Sequence, residues 1–233
     1  MKIRGFQNLT LIDYPGKLAC TIFLFGCNFR CGFCHNPGLI FDDGSEDYKE
    51  EEILEFLEKR KNYLDGVCFT GGEPLLDIDK EFLKKIKEKG FLIKIDTNGS
   101  YPEKLKELVS EGLVDYVAMD IKISKDKYKD VVGDNVDLNK IEESIKFISS
   151  LPEYEFRTTI VESLHDKESV LKMCEWMREL IKGKGKRFAL QGFKKEDELL
   201  DKQFNTEKNT SEVYLNELKK TLSNYFEEVN IQV

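Results

Sequence analysis

Three of the chain's six cysteines lie close together at the spacing C-x3-C-x2-C. Cys27, Cys31 and Cys34 follow the apolar run at residues 20–25, which is typical of a buried strand. A [4Fe-4S] cluster held by three cysteines has one iron without a protein ligand, whereas clusters that only carry electrons usually take four. An open iron indicates that a substrate or cofactor binds there, by the same logic that leaves a free position on catalytic zinc.

A structural zinc site is an alternative interpretation of this loop, with His35 as the fourth ligand. His35 directly follows Cys34, which makes joint ligation awkward, and the sequence has no second cysteine pair. A disulfide framework is disfavoured because Cys20, Cys68 and Cys174 are scattered along the chain. We interpret these three as buried, unreactive thiols.

The composition is that of a folded α/β domain, with 233 residues, 40% hydrophobic and 34% charged. The sequence shows neither an apolar run of the ~18 residues that a membrane span needs nor a signal peptide, so we expect a cytoplasmic protein without a membrane partner. The net charge of −8 argues against nucleic acid as a partner. Residues 1–36 hold four basic and one acidic side chain, which could face an acidic electron donor or be an ordinary solvated surface.

Strand and helix patterns alternate along the chain. The predicted strands are 17–25, 66–70, 91–96, 116–121, 156–161, 187–191 and 228–233. The predicted helices are 48–61, 77–89, 102–111, 138–150, 166–182 and 210–223. This order predicts an α/β fold in which right-handed crossovers roll a parallel sheet into a barrel-like form. We expect one domain, with an arm or hairpin at 1–16, a core at 17–192 and an extension at 193–233.

Candidate site residues accompany the predicted strands near their C-terminal ends, where catalytic residues gather in such folds. They are Gly71, Gly72, Glu73 and Pro74, then Asp96, Thr97 and Asn98, then Asp120 and Lys122, then Arg157, His165 and Gln191. Paired glycines allow close backbone approach. Asn98-Gly99 is also typical of a plain turn. Asp120 and Lys122 are two apart and share a face of the strand, so a structural ion pair is the ordinary explanation.

The cysteine spacing resembles the signature of the radical S-adenosylmethionine (SAM) superfamily, and residues 71–74 resemble its GGEP motif. TLIDYPGK at residues 10–17 and GCNFRCGFCHNP at 26–37 are similar to the activating enzymes of glycyl-radical enzymes, especially the activators of anaerobic ribonucleotide reductase. This resemblance implies a partial (β/α)6 barrel and a [4Fe-4S] cluster on Cys27, Cys31 and Cys34, with SAM on the open iron. It implies an oxidoreductase that cleaves SAM reductively and uses the 5′-deoxyadenosyl radical to form a glycyl radical on a partner.

The resemblance also implies which residues bind SAM. They are Phe33, Gly71, Gly72, Glu73, Pro74, Asp96, Thr97, Asn98, Asp120, Lys122, Arg157 and Gln191, with His165 as a further candidate. In this family the GGEP segment holds the SAM ammonium group, and the aromatic residue before the third cysteine lies beside the adenine. In some members the region matching 96–98 also contributes to a monovalent-cation site.

A glycyl-radical enzyme is therefore the expected protein partner, with reduced flavodoxin or ferredoxin as electron donor. The other cysteines form no further C-x2-C pattern, so the extra clusters of some activators are not expected. Two alternatives stay open. One is a radical SAM enzyme that acts on a small molecule, as the short 7-carboxy-7-deazaguanine synthases do, which TLIDYPGK and LQGF disfavour. The other is a non-catalytic zinc or electron-transfer module.

Overall fold

The computed structural model describes residues 1–42, 44, 46–196 and 198–232. Its strands are β1 Ile3–Thr10, β2 Ala19–Leu24, β3 Gly66–Gly71, β4 Leu92–Thr97, β5 Tyr116–Asp120, β6 Tyr154–Ile160, β7 Gly185–Gly192 and β8 Phe226–Gln232. Its α-helices are α1 Glu50–Arg60, α2 Lys80–Glu88, α3 Pro102–Ser110, α4 Tyr128–Val132, α5 Leu138–Ile148, α6 Lys167–Ile181 and α7 Glu212–Leu222. Within these residues no helix is both long enough and apolar enough to cross a membrane.

The strands are ordered in the sheet as they are in the chain, from β1 to β8. β1 is antiparallel to β2, whereas the pairs β2–β3, β3–β4, β6–β7 and β7–β8 are parallel. In the described part of the chain β1 and β8 stand at the two ends of this order, so the sheet is not closed. The α/β fold with a mostly parallel sheet is confirmed.

The chain divides into two compact units. The first comprises Met1–Asn28, Gly38–Thr97 and Glu103–Val117. The second comprises Phe29–Pro37, Asn98–Pro102 and the chain from Ala118 onward. Cys27 thus belongs to the first unit and the other two clustered cysteines to the second. The boundaries 1–16, 17–192 and 193–233 stay a prediction.

In the first unit, alternate strand residues face the helices. Phe69 of β3 and Ile95 of β4 are register partners and are fully buried. Phe69 packs edge-on against Phe82 of α2, with ring centroids 6.3 Å apart. Because successive strand residues point to opposite faces, Lys94 and Asp96 lie on the face away from α2.

In the second unit, a capping hydrogen bond marks the start of α6 and a change of backbone conformation marks its end. Asp166 accepts a hydrogen bond from the Ser169 N–H (2.6 Å), as an N-cap residue does. Lys182 ends the helix in the left-handed conformation, with φ of 58°. Trp176 of α6 packs against Tyr128 of α4 at 5.9 Å, which holds that short helix in place.

All seven predicted strands and all six predicted helices are present, with shifted ends. The predicted arm or hairpin is β1, which pairs with β2 and so extends the sheet. The helix predicted from residue 77 begins only at Lys80, because Pro74–Leu76 forms a separate 3-10 turn. α4 was not predicted, since five residues are too few to show a helical period. Val233, the predicted end of the last strand, lies outside the described residues.

Candidate active site

Most of the predicted site residues follow the C-terminal ends of β2, β3, β4, β5 and β7, where the fold class places catalytic groups. Arg157 is an exception, because it lies in the middle of β6, opposite Ala189 of β7. The expectation that every candidate would lie at a strand end is therefore wrong for this residue.

The two glycines after β3 are packed against the backbone that leads into the cysteine loop. The Gly26 carbonyl accepts a hydrogen bond from the Glu73 N–H (2.7 Å). A Cβ on Gly72 would lie 2.0 Å from the Gly26 carbonyl oxygen. A Cβ on Gly71, whose φ is +111°, would lie 2.6 Å from the Leu24 backbone. Both positions therefore exclude a side chain, for reasons of packing that hold whether or not a ligand binds.

Replacing Gly72 by alanine is expected to lower the free energy of unfolding by about 2 kcal/mol, because either the strand end or the Gly26 peptide must move. Denaturant unfolding measures this loss. Gly183→Ala is the matched control, since a Cβ there meets nothing within 4 Å and its φ is not positive. Equal stability of the two variants would contradict the packing described for Gly72.

In the second unit the cysteine loop forms a turn. The Cys34 N–H donates to the Cys31 carbonyl (3.0 Å), so the two thiols stand at the ends of one turn. The Asn36 N–H donates to Cys34 Sγ (3.4 Å). Hydrogen bonds of this kind to cysteine sulfur adjust the potential of an iron–sulfur cluster.

All six cysteines are free thiols in this structure. Cys27 and Cys34 are partly exposed, whereas Cys20 and Cys174 are buried. Burial raises the pKa of the Cys20 and Cys174 thiols to about 12. Burial also raises the pKa of the Cys68 thiol. All three buried thiols stay protonated near neutral pH and are poor metal ligands, so the clustered cysteines are the better candidate ligands.

Among the described residues, no group of three or more His, Cys, Asp or Glu side chains converges to hold a single metal ion. His35, the fourth ligand of the alternative zinc site, makes other contacts. Its Nε2 lies 2.9 Å from the Lys194 carbonyl, and its ring stacks on Phe193 at 5.3 Å. In a [4Fe-4S] cluster each thiolate binds a different iron, so its ligands need not meet at one point. With His35 engaged in these contacts, the thiols of Cys31 and Cys34 are the candidate donors of the second unit, and thiolates are the ligands of iron–sulfur clusters.

Glu73 is a buried carboxylate held by the first unit. It is 1% exposed. Its Oε1 accepts hydrogen bonds from the Thr97 hydroxyl (2.9 Å) and the Leu75 N–H (3.1 Å). Two predicted site residues, Glu73 and Thr97, are thus in direct contact, and the carboxylate is fixed in one orientation.

Asp96 contacts a residue that the sequence analysis missed. Lys94, also on β4, donates from its ammonium group to Asp96 Oδ1. Lys94 is 1% exposed, and Asp96 is also buried. The alternating pattern of LIKID placed both residues on one face, which is the signal that could have indicated the pair.

Asp120, Lys122 and Arg157 come together in the second unit. Arg157 Nε donates to Asp120 Oδ1 (2.6 Å) and Lys122 Nζ donates to Asp120 Oδ2 (3.1 Å). Each side chain is at most about one-fifth exposed. One carboxylate shared by two cations leaves a partly buried group with a net positive charge, which suits a carboxylate ligand.

Within this trio the opposite charges shift the pKa values of Asp120 and Lys122 so that both side chains stay ionised. Burial raises the pKa of Asp120, but Arg157 and Lys122 lower it further, and the net pKa lies well below its usual value. Burial lowers the pKa of Lys122, but Asp120 and then Cys31 raise it, and the net pKa lies above its usual value. Cys31 therefore lies near enough to Lys122 to affect the pKa of that ammonium group.

Two other predicted site residues use their side chains within the protein. Asn98 Oδ1 accepts from the Ser100 N–H (2.9 Å), and Gly99 has φ of +83°, so this segment forms a turn, while its role in binding SAM stays a prediction. Gln191 Nε2 donates to Gln232 Oε1 (3.0 Å). Both contacts limit how these side chains can meet a ligand.

His165 lies beneath the Asp120–Lys122 segment and is 1% exposed. Its Nε2 lies 2.7 Å from the Lys122 carbonyl oxygen, which can only accept, so Nε2 carries a proton and donates it there. Its Nδ1 lies 3.1 Å from both the nitrogen and the carbonyl oxygen of Val161. The imidazole packs against Phe33 at 6.4 Å. His165 is therefore not a surface residue, and it contacts both Lys122 and the aromatic residue before Cys34.

Burial lowers the pKa of His165 below its ordinary value of about 6.5. Between the two values the unfolded chain binds a proton that the folded chain does not, so this residue makes stability fall as the pH falls below about 6.5. We expect His165→Gln to lose stability overall and to show a weaker decline from about pH 8 to 5.5. Denaturant unfolding across that range checks this, and parallel curves for the two proteins would contradict it.

Residues 201–204 contact the cysteine loop, and no periodic pattern in this part of the sequence indicated such a contact. The Asp201 N–H donates to the Gly32 carbonyl (2.9 Å), and Phe204 packs against Phe33 at 5.9 Å. A cavity of about 320 Å³ lies beside them within the second unit. Its lining includes Arg30, Phe33, Leu164, Leu200 and Phe204.

Comparison with known proteins agrees with this arrangement. The family model of the radical SAM superfamily matches residues 21–161. MJ1227 of Methanocaldococcus jannaschii, which carries the provisional name of glycyl-radical enzyme activating enzyme, is 35% identical over 99% of this chain and 95% of its own length. The pyruvate formate-lyase-activating enzyme of Clostridium pasteurianum is 36% identical over 57% of each protein. The structure of Streptococcus suis SuiB bound to SAM superposes with a TM-score of 0.67 at 14% identity, covering 91% of this chain and 49% of SuiB.

The chain therefore belongs to the radical SAM superfamily, whose members use a [4Fe-4S] cluster and SAM. Within that superfamily, it is similar to the glycyl-radical enzyme activating enzymes. The expected cluster and SAM are thus confirmed at the level of the family. The likeness to SuiB supports the fold alone.

Proposed function

We propose that this protein is an activating enzyme that forms a glycyl radical on the backbone of a partner enzyme. The observation that carries the proposal is the similarity to MJ1227, because it extends over almost the whole of both chains. A relationship limited to the cysteine motif would indicate only the superfamily. The match covers 99% of this chain, so it extends beyond the strand-end motifs into the C-terminal segment.

In the second unit, Cys31 and Cys34 would bind the cluster together with Cys27 of the same loop. The Asp120, Lys122 and Arg157 trio would bind the SAM carboxylate, because its net positive charge is partly shielded from water. Phe33 would lie against the adenine, and Gln191 would contribute through its backbone or after leaving Gln232.

In the first unit, Glu73 would accept a hydrogen bond from the SAM ammonium group. Thr97 and Leu75 hold its carboxylate through one oxygen, which fixes the carboxylate in place before a ligand arrives. Gly71, Gly72 and Pro74 would shape the backbone beside it.

When bound, the reduced cluster would give one electron to SAM, releasing methionine and a 5′-deoxyadenosyl radical that takes a hydrogen atom from a glycine Cα. The chain itself needs no acid or base for this hydrogen transfer, only correct placement of the two carbon atoms. The partner would be an anaerobic ribonucleotide reductase or a pyruvate formate-lyase, and the electron donor a reduced flavodoxin or ferredoxin. The oxidoreductase class follows from this reaction.

The test mixes the reconstituted, reduced protein and SAM with each glycyl-radical enzyme of the same organism. Each of these partner enzymes is produced in cells supplied with α-deuterated glycine. We expect a glycyl radical in the electron paramagnetic resonance spectrum of the partner and deuterium in the 5′-deoxyadenosine. A partner with the target glycine changed to alanine is the control, and it should give neither signal.

Deuterium-free 5′-deoxyadenosine and no partner radical would contradict the proposal. If turnover instead required a small molecule and no protein, the small-molecule radical SAM enzyme would replace it. A protein that binds zinc and does not cleave SAM would favour the non-catalytic module.

A further inference from the structure

Lys94 is a buried lysine inside the first unit, and its carboxylate partner among the described residues is Asp96. Its ammonium group donates to Asp96 Oδ1, and the ring of Tyr116 lies 5.9 Å from Nζ. Lysine side chains are almost never fully buried unless they are paired. The contacts with Asp96 and with the Tyr116 ring therefore offset the unfavourable burial of this ammonium group at the end of β4.

The neighbours of Lys94 form a polar row across three strands. Thr21 of β2, Cys68 of β3 and Lys94 of β4 are register partners, so their side chains share the face away from α2. Thr21 donates to Asp13 Oδ2 (2.5 Å). Burial raises the pKa of the Cys68 thiol, Lys94 lowers it, and Asp96 and Asp13 raise it again. The charged groups that act on this row are thus one ammonium and two carboxylates.

This arrangement does not fit a monovalent metal cation at Asp96, although the resemblance implies such a site in some family members. Asp96 already accepts an ammonium group, whose charge is that of Na⁺ or K⁺. A metal ion on the same carboxylate would place a second positive charge beside Lys94 in buried surroundings, where like charges repel strongly.

We infer that the ammonium group of Lys94 replaces the monovalent cation at Asp96, so that this protein binds SAM without added Na⁺ or K⁺. The inference rests on the proposed function for its SAM-binding part. The pairing of Lys94 with Asp96 does not, and it can be tested on the protein without SAM.

The experiment measures SAM affinity of the reconstituted protein in potassium chloride, in sodium chloride and in tetramethylammonium chloride at one ionic strength. For the wild type we expect dissociation constants that agree within about twofold, since no metal ion is needed beside a paired carboxylate. In Lys94→Met the carboxylate of Asp96 loses its cation, and we expect SAM to bind about tenfold more tightly with potassium or sodium than with tetramethylammonium. Weaker SAM binding by the wild type in tetramethylammonium would overturn the inference without any variant.

A second readout needs no SAM. The thermal unfolding midpoint of Lys94→Met should rise with potassium or sodium chloride more than with tetramethylammonium chloride, because a small cation can bind the vacated carboxylate. Lys87→Met is the matched control: it removes a lysine from a partly exposed ion pair with Asp115 in the same unit. The double variant Lys94→Met/Asp96→Asn should lose the cation effect.

Equal salt responses of Lys94→Met and Lys87→Met would overturn the inference. If Lys94→Met does not fold, the double variant and the wild-type affinities still decide. If no protein binds SAM in any salt, the proposed function fails, and the unfolding midpoints alone judge the role of Lys94.

Discussion

Replacing Cys31 by alanine is expected to give a folded protein that holds no [4Fe-4S] cluster and does not cleave SAM. The open-iron arrangement uses three thiolates, so the loss of one leaves two of four irons without a protein ligand. Cys31 also lies near Lys122 and contributes to the raised pKa of that ammonium group. Iron and sulfide content after anaerobic reconstitution, with 5′-deoxyadenosine formation, measures the effect. Cys27→Ala and Cys34→Ala should behave alike.

Cys174→Ala is the matched control for these variants. Cys174 is buried in α6, and burial raises the pKa of its thiol to about 12, so it stays protonated. We expect this variant to lose some stability through the smaller side chain and to keep the full iron content. A Cys31→Ala protein with unchanged iron and sulfide would contradict the assigned ligands.

Replacing Asp120 by alanine is expected to lower the free energy of unfolding by about 3–5 kcal/mol, because Lys122 and Arg157 would be left as adjacent, partly buried cations. Surviving protein should also bind SAM weakly, since the two cations would no longer be held in place. Asp120→Asn keeps the shape but not the charge, and it should be nearly as damaging. Denaturant unfolding and SAM affinity measure the two effects.

The pH dependence of this loss has a definite sign. The pKa of Asp120 is lowered in the folded state, so its stabilising contribution is present above the unfolded pKa of about 3.9 and is lost as the pH falls below it. The difference between wild type and Asp120→Ala should therefore be constant near neutral pH and shrink in acid. Glu168→Ala, which breaks an exposed ion pair with Lys172, is the control and should change little. A similar small effect in Asp120→Ala would contradict the buried trio.

The sequence indicated those parts of the site that depend on local chemistry. Few physical explanations exist for three thiols at a fixed spacing, for two adjacent glycines or for a carboxylate two residues from a lysine. Strand alternation then put Asp120 and Lys122 on one face, where the structure finds them paired. The glycine packing also follows locally, because Gly72 excludes a Cβ whatever binds nearby.

Contacts between distant residues could not be predicted in this way. Arg157 reaches Asp120 from the middle of the neighbouring strand, and its position depends on sheet register. Phe204 contacts the cysteine loop from a segment without a periodic pattern, so no sequence rule places it.

The measurement that tests the central claim most directly is electron paramagnetic resonance of the anaerobically reconstituted and reduced protein, with and without SAM. A [4Fe-4S]⁺ signal that changes when SAM is added, and that is absent in Cys31→Ala, is the predicted result. It would establish that SAM reaches an open iron on a cluster held by Cys27, Cys31 and Cys34. A cluster signal that SAM leaves unchanged, or a protein that takes up zinc and no iron, would contradict the claim.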